Sequence, residues 1–71
     1  MMNFAKTLQK DAQTRHYAIS FGTSGWHVTE HADTRVVRDE IYTDWHRVER
    51  ARREFAVEMS SLRGEGWVER G

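Results

Sequence analysis

The stretch from residue 16 to residue 31, HYAISFGTSGWHVTEH, decides the fold of this chain. Large apolar side chains alternate with small or polar ones on both sides of a Gly-Thr-Ser-Gly sequence. Such alternation is typical of half-buried strands, and the glycine-framed sequence is typical of a tight turn. A two-residue turn at Thr23-Ser24 and a four-residue loop give the same register. Either places Phe21 opposite Trp26, and Ile19 opposite Val28, on one face of the sheet. We therefore predict a β-hairpin with strands at about 16–22 and 26–31.

A third strand is predicted at about 35–42, after a turn at residues 32–34. One of its two faces holds Val37, Asp39 and Ile41, and the other holds more charged side chains. Because burying charge is costly, we expect the face with Val37 and Ile41 to point toward the core, with a β-bulge as the alternative.

One long helix is predicted at about 44–63, with Thr43 or Asp44 as its N-cap. Apolar side chains recur there at about 100° per residue and form one stripe, while arginines and glutamates occupy the other side. Several of these charges lie four residues apart, a spacing that supports a helix. Gly64 follows where a helix commonly ends.

These elements predict an α+β domain at residues 16–71, in which a three-stranded antiparallel meander is covered on one face by the helix. The preceding residues, 1–15, are either a short amphipathic helix at about 2–13 or an unstructured leader. The apolar positions of all elements define the predicted core: Tyr17, Ile19, Phe21, Trp26, Val28, Val37, Ile41, Trp45, Val48, Phe55, Met59, Leu62 and Trp67.

Two charged side chains fall inside apolar surfaces of the predicted fold. Arg52 lies within the helix stripe, and Asp39 lies within the apolar face of the third strand. A buried charge is tolerated when it is paired, so we predict a structural ion pair between Asp39 and Arg52, with Glu30 as the substitute acceptor. The alternative is an arginine whose stem packs on Trp45 while its charge reaches water.

The composition excludes several classes of protein. The 71 residues contain 11 basic and 11 acidic side chains, and this neutral balance disfavours binding to nucleic acid. There is no cysteine, which excludes disulfides and thiolate chemistry. No apolar run approaches the roughly 18 residues that a membrane helix needs, so we expect no membrane partner and a cytoplasmic location.

Catalytic and metal-binding patterns are also weak. No serine lies in a nucleophile-elbow sequence, and the glycines match no phosphate-binding pattern, so we expect no enzyme and no cofactor. The hairpin register places His16 opposite His31. Two imidazoles with no carboxylate nearby make a weak metal site at best, so these residues are weak candidates and no metal is predicted.

The order of elements over most of residues 16–67 loosely resembles the WGR domain. The resemblance consists of a strand, Gly25-Trp26 at the start of the next strand, a further strand, and a helix with Phe55 that is followed by Gly66-Trp67. It implies a nucleic-acid-associated module, as in poly(ADP-ribose) polymerases. The Trp-Gly-Arg triplet itself is missing, and Val36-Val37-Arg38 lies about where that triplet is expected.

A small non-enzymatic protein-interaction module is the function that these observations favour, acting as a homodimer or as an accessory or inhibitor subunit that binds a larger protein, of the kind that mobile elements encode. The alternative is the nucleic-acid-associated module that the WGR resemblance implies. The uncovered sheet face, the sheet edges and the N-terminal segment offer the candidate contact residues: Phe4, Leu8, Ala18, Thr29, Val36, Arg38 and Tyr42.

Overall fold

A computed structural model describes residues 3–70 and contains an antiparallel sheet with one helix across one face. The strands lie in the order β4-β3-β2-β1-β5. The α+β class and the meander are therefore confirmed, although the described residues form five strands where three were predicted. The elements are β1 (Phe4–Lys10), β2 (Gln13–Gly22), β3 (Gly25–Ala32), β4 (Arg35–Tyr42), α1 (Trp45–Gly64) and β5 (Val68–Glu69).

The hairpin of β2 and β3 has the predicted register. Gly22 pairs with Gly25 across a two-residue turn, which places Phe21 opposite Trp26. The Phe21 and Trp26 rings meet edge to face with their centroids 4.7 Å apart. Trp45 at the start of α1 adds a third ring, 4.9 Å from Trp26. This aromatic contact joins the hairpin end of the sheet to the start of the helix.

The N-terminal segment is a strand, and both predictions for it, a helix and a leader, are wrong for the described residues. β1 pairs with β2 along its whole length and with β5 at Leu8 and Gln9. Leu8 is completely buried, and Phe4 packs against the core. The strand forms because its alternate residues cover the core beside Tyr17 and Ile19. Met2, the first residue of the predicted helix, lies outside the described residues, as does Met1.

The orientation predicted for the third strand is wrong, although the bulge offered as its alternative is present. In β4, Arg38 pairs with Glu30 and Val36 pairs with His31, so Val37 is an extra residue in the ladder. Because of this extra residue, the face of β4 that carries Arg38 points toward α1. Val37 and Ile41 are 48% and 57% exposed, so they do not belong to the core.

The helix begins and ends close to the predicted residues. Asp44 is its N-cap, since its carboxylate accepts a hydrogen bond of 2.9 Å from the backbone N–H of His46. At the other end the left-handed residue is Gly66, with φ of 101°, and the Trp67 N–H donates to the Leu62 carbonyl oxygen. This ending turns Trp67 back into the core. Within residues 3–70, no helix is both long and apolar enough to cross a membrane.

Most of the predicted core is found between α1 and the sheet. Phe21 and Trp45 were predicted as core residues, but this is wrong. They lie at the two ends of the aromatic contact and are 47% and 40% exposed. Trp26 is partly buried. Leu8 and Ala51 are core residues that the prediction omitted. The buried hydrophobic set is Leu8, Tyr17, Ile19, Val28, Val48, Ala51, Phe55, Met59, Leu62 and Trp67.

Gly25 gives the first testable prediction. Its φ is 123°, and a Cβ there would lie 2.6 Å from the carbonyl oxygen of Tyr42. We expect Gly25→Ala to lower the free energy of unfolding by roughly 2 kcal/mol or more, because both the backbone conformation and the approach of β4 resist a side chain. Urea denaturation measures the change.

Gly64→Ala is the matched control for that experiment. Gly64 is helical, and a Cβ there would meet nothing within 4 Å. We expect this variant to have a free energy of unfolding about 0.5–1 kcal/mol higher, since alanine is the better helix former. Equal losses in the two variants would contradict the role assigned to Gly25.

Candidate functional site

The sheet face opposite α1 carries no covering element within residues 3–70, and we call it the open sheet face. Alternation along the strands assigns it the residues between the buried ones, such as Ala18 and Thr29. Charged residues make up 31% of the chain, yet Asp39 is the one formally charged strand residue on this face. Arg70 follows β5 at the margin, beside Thr7. The face is therefore depleted of charge, as the centres of protein interfaces are.

Exposed apolar side chains border the open sheet face. Val36 and Ile41 in β4 are 54% and 57% exposed, next to the bulged Val37. Val68 in β5 lies at the opposite border and is 63% exposed. In the middle of the face, the small side chains of Ala5, Ala18 and Thr29 form a row across β1, β2 and β3. A partner could therefore approach the middle of the sheet closely while it contacts apolar groups on both sides.

A row of polar side chains crosses the same face. Thr7, His16 and His31 lie opposite one another on β1, β2 and β3. The Thr7 hydroxyl oxygen is 2.7 Å from Nδ1 of His16, and the His16 and His31 ring centroids are 6.5 Å apart. The predicted juxtaposition of the two histidines is thus present, and Thr7 adds a contact that the sequence did not indicate.

A second polar row contains residue types that occur in hydrolases. Ser20 lies opposite His27, and His27 Nε2 is 2.6 Å from a carboxylate oxygen of Asp39. However, Ser20 makes no side-chain hydrogen bond to His27 in the described part of the chain, and the His27 and Asp39 side chains are about half exposed. Water therefore reaches all three groups, and they lack the enclosed, preorganised environment on which acyl transfer depends.

The predicted interaction residues divide between the two faces. Ala18, Thr29 and Val36 lie on the open sheet face, as expected. Phe4, Leu8, Arg38 and Tyr42 lie on the helix side, where Leu8 is buried and Phe4 and Tyr42 pack against the core. These four residues cannot contribute to the open sheet face.

The structure does not bring Asp39 and Arg52 together. Asp39 bonds His27 on the open sheet face, whereas Arg52 donates to Glu49 one helical turn away, with a shortest distance of 2.6 Å. The predicted pair fails because the bulge turns Asp39 away from the helix.

The charged residue that does lie under the helix is Glu30, which is 6% exposed. Arg15 donates to Glu58 on α1 at 2.6 Å and to Glu30 at 3.4 Å, and the Tyr17 hydroxyl donates to Glu58 at 2.7 Å. Burial and the neighbouring Glu58 carboxyl raise the pKa of Glu30 to about 7, although Arg15 and Arg38 oppose the shift. Burial and the bond to Glu58 also raise the pKa of Tyr17. This carboxylate cluster joins β2 and β3 to the helix.

Other basic residues on the helix side also have acidic partners. Arg38 contacts Glu40 and Glu54, and Glu69 accepts from both Lys6 and Arg63. These ion pairs neutralise the positive charges of Arg38, Lys6 and Arg63 on the helix side of the sheet.

Comparison of the chain with known protein families, with curated proteins and with solved structures gives no match. The resemblance to the WGR domain therefore gains no support.

The carboxylate cluster predicts a pH dependence of stability. Because the pKa of Glu30 rises from an ordinary value of 4.5 to about 7 on folding, the folded state holds this proton more tightly than the unfolded chain. The stabilisation that this proton gives the folded state is complete below pH 4.5 and is lost as the pH rises through about 7. Glutamine cannot lose this proton. As the pH is raised from 5.5 to 8, we therefore expect the free energy of unfolding of Glu30→Gln to increase by about 2 kcal/mol relative to that of the unsubstituted chain.

Urea denaturation at a series of pH values tests this expectation. Glu65→Gln, which changes an exposed carboxylate, is the control, and its difference from the unsubstituted chain should stay constant. A constant difference for Glu30→Gln as well would show that Glu30 does not take up a proton on folding.

Proposed function

We propose that this chain is a small non-enzymatic protein-interaction module and that the open sheet face is its contact surface. The observation that carries the proposal is the charge depletion of that face in a chain with 31% charged residues. An antiparallel sheet can expose one face to water, but a solvated face usually carries charged side chains. Here the described strands place Lys6, Arg15, Arg38 and Glu40 on the helix side instead.

The shape of the face supports the same function. The apolar borders at Val36, Ile41 and Val68 offer contact area, and the small residues between them admit a flat partner. A second copy of the chain or the surface of a larger protein fits this description, so the module acts as a homo-oligomer or as an accessory or inhibitor subunit.

The other functions considered for the sequence have less support. The Ser20, His27 and Asp39 row is open to water, which disfavours hydrolysis. Nucleic acid needs unpaired positive charge, and several arginines here are paired with glutamates, while the open sheet face holds no lysine or arginine within its strands.

Charge insertion on the open sheet face tests the proposal. Ala18→Glu places a carboxylate at its centre, and Val57→Glu makes a similar change on the helix, where Val57 is 71% exposed. We expect both variants to fold. Ala18→Glu should lose at least tenfold in affinity for its partner, whereas Val57→Glu should bind normally, because a desolvated unpaired charge costs more than 1.4 kcal/mol.

Two measurements follow the partner in that experiment. Sedimentation across a concentration series detects self-association, and quantitative affinity capture from cells detects a larger protein whose recovery depends on residue 18. Thr29→Lys should reproduce the effect of Ala18→Glu with the opposite charge. Equal recovery and equal self-association in all variants would contradict the assignment of this face.

A further inference from the structure

The Thr7, His16 and His31 row places two imidazoles where they can reach one ion. His16 and His31 pair directly across β2 and β3, and their ring centroids are 6.5 Å apart. Opposite residues on antiparallel strands have Cβ atoms about 4.5–5.5 Å apart, so small side-chain rotations bring both rings onto a common metal ion. Imidazole nitrogen is a preferred ligand of zinc.

Thr7 provides the outer contact that metal-binding histidines commonly have. Its hydroxyl oxygen lies 2.7 Å from His16 Nδ1. When Nδ1 carries the proton, it donates to Thr7 and leaves the lone pair of Nε2 free for a metal. Partners of this kind fix the tautomer and orientation of a ligand, and their loss typically weakens metal affinity 10- to 100-fold. Thr7 and His31 flank His16 on opposite sides, so both contacts can form together.

One chain alone supplies too few ligands for a closed zinc site. Within residues 3–70, no group of three or more histidine, aspartate or glutamate side chains could hold a metal ion together. Structural zinc sites are almost always four-coordinate. A two-fold interface presents the same surface from both partners, so a second copy would add the same two imidazoles.

We propose that His16 and His31 form half of a zinc site and that a second copy of the chain, docked open sheet face to open sheet face, completes it. This inference rests on the proposed function, because it names the partner that the open sheet face binds.

The dimensions of the face explain why the ion would be needed. The four longer strands, β1 to β4, are seven to ten residues long and lie about 4.8 Å apart. With the two-residue β5 they cover roughly 500 Å² per copy, or about 1,000 Å² in total. Stable interfaces usually bury about 1,200–2,000 Å². A dimer formed by this face alone is therefore weak, and metal coordination adds the missing free energy.

Charge and geometry both allow this arrangement. The one formally charged strand residue on the face, Asp39, is bonded to His27, so two copies meet without strong repulsion between their sheets. Tetrahedral coordination requires that the line joining His16 and His31 in one copy be nearly perpendicular to the same line in the other copy. Sheets that pack orthogonally give this crossing.

The experiment measures molecular mass by light scattering on the full chain, freed of metal and then titrated with zinc chloride. We expect a monomer of 8.4 kDa without metal and twice that mass with zinc. Calorimetry should give one zinc ion per two chains. His31→Gln should weaken apparent zinc affinity at least tenfold, and because His31 makes no side-chain hydrogen bond in the described part of the chain, this variant keeps the contacts of the fold.

Three further variants sharpen the assignment. His16→Gln should match His31→Gln, and Thr7→Val should weaken zinc affinity about tenfold while leaving both ligands in place. His46→Gln, which changes a histidine on α1, is the matched control and should dimerise with zinc as the unsubstituted chain does. Melting curves recorded without metal verify that each variant is folded.

The outcomes separate this inference from the proposed function. Zinc binding to a monomer, no zinc binding, or unchanged affinity in His31→Gln would each overturn the inference. A metal-free dimer that Ala18→Glu disrupts would overturn it too, but would support the proposed function. A chain that stays monomeric with zinc and shows no residue-18-dependent partner would overturn both.

Discussion

The pairing of Gly22 with Gly25 determines the side of the sheet that every hairpin residue occupies. Because side chains alternate along a strand, a shift of one residue would move Ile19 and Val28 from the core to solvent. The register is also constrained by β4, since Gly25 lies too close to the Tyr42 carbonyl oxygen to admit a side chain. The position of α1, and hence the identity of the open sheet face, follows from this local geometry.

The same alternation separates the charges of the molecule. On the helix side, Glu30 lies beneath α1, and Arg15 links it to Glu58. Such a cluster is tolerated because each buried polar group has a partner, and no buried side-chain nitrogen or oxygen in the described residues lacks a hydrogen bond. The opposite side carries mainly hydroxyl, imidazole and apolar groups, with Asp39 as its one formally charged strand residue. A net charge of zero therefore conceals two faces with very different electrostatic character.

The hairpin and the helix could be predicted because each has a single clear period, and β4 was predicted within its observed bounds. The strand form of β1 and the inward face of β4 were not predicted. Phe4 and Leu8 lie four residues apart, a spacing compatible with one face of a helix and with one face of a strand. In β4, counting charges chose the wrong face. At the sheet edge, the half-buried Arg38 lies over the Phe55 ring and pairs with the exposed Glu40 at 2.8 Å. Both errors arise because tertiary contacts decided between local alternatives.

These errors also explain how much of the candidate site the sequence contained. The juxtaposition of His16 and His31 requires only the hairpin register, so it was predictable. The contact of Thr7 with His16 requires β1 to be a strand. It could not be predicted because the N-terminal residues were expected to be helical or unstructured. Orientation of His16 therefore depends on a strand whose own place in the sheet depends on burial of Leu8 between β2 and β5. A core contact on one side of the sheet thus organises a polar row on the other.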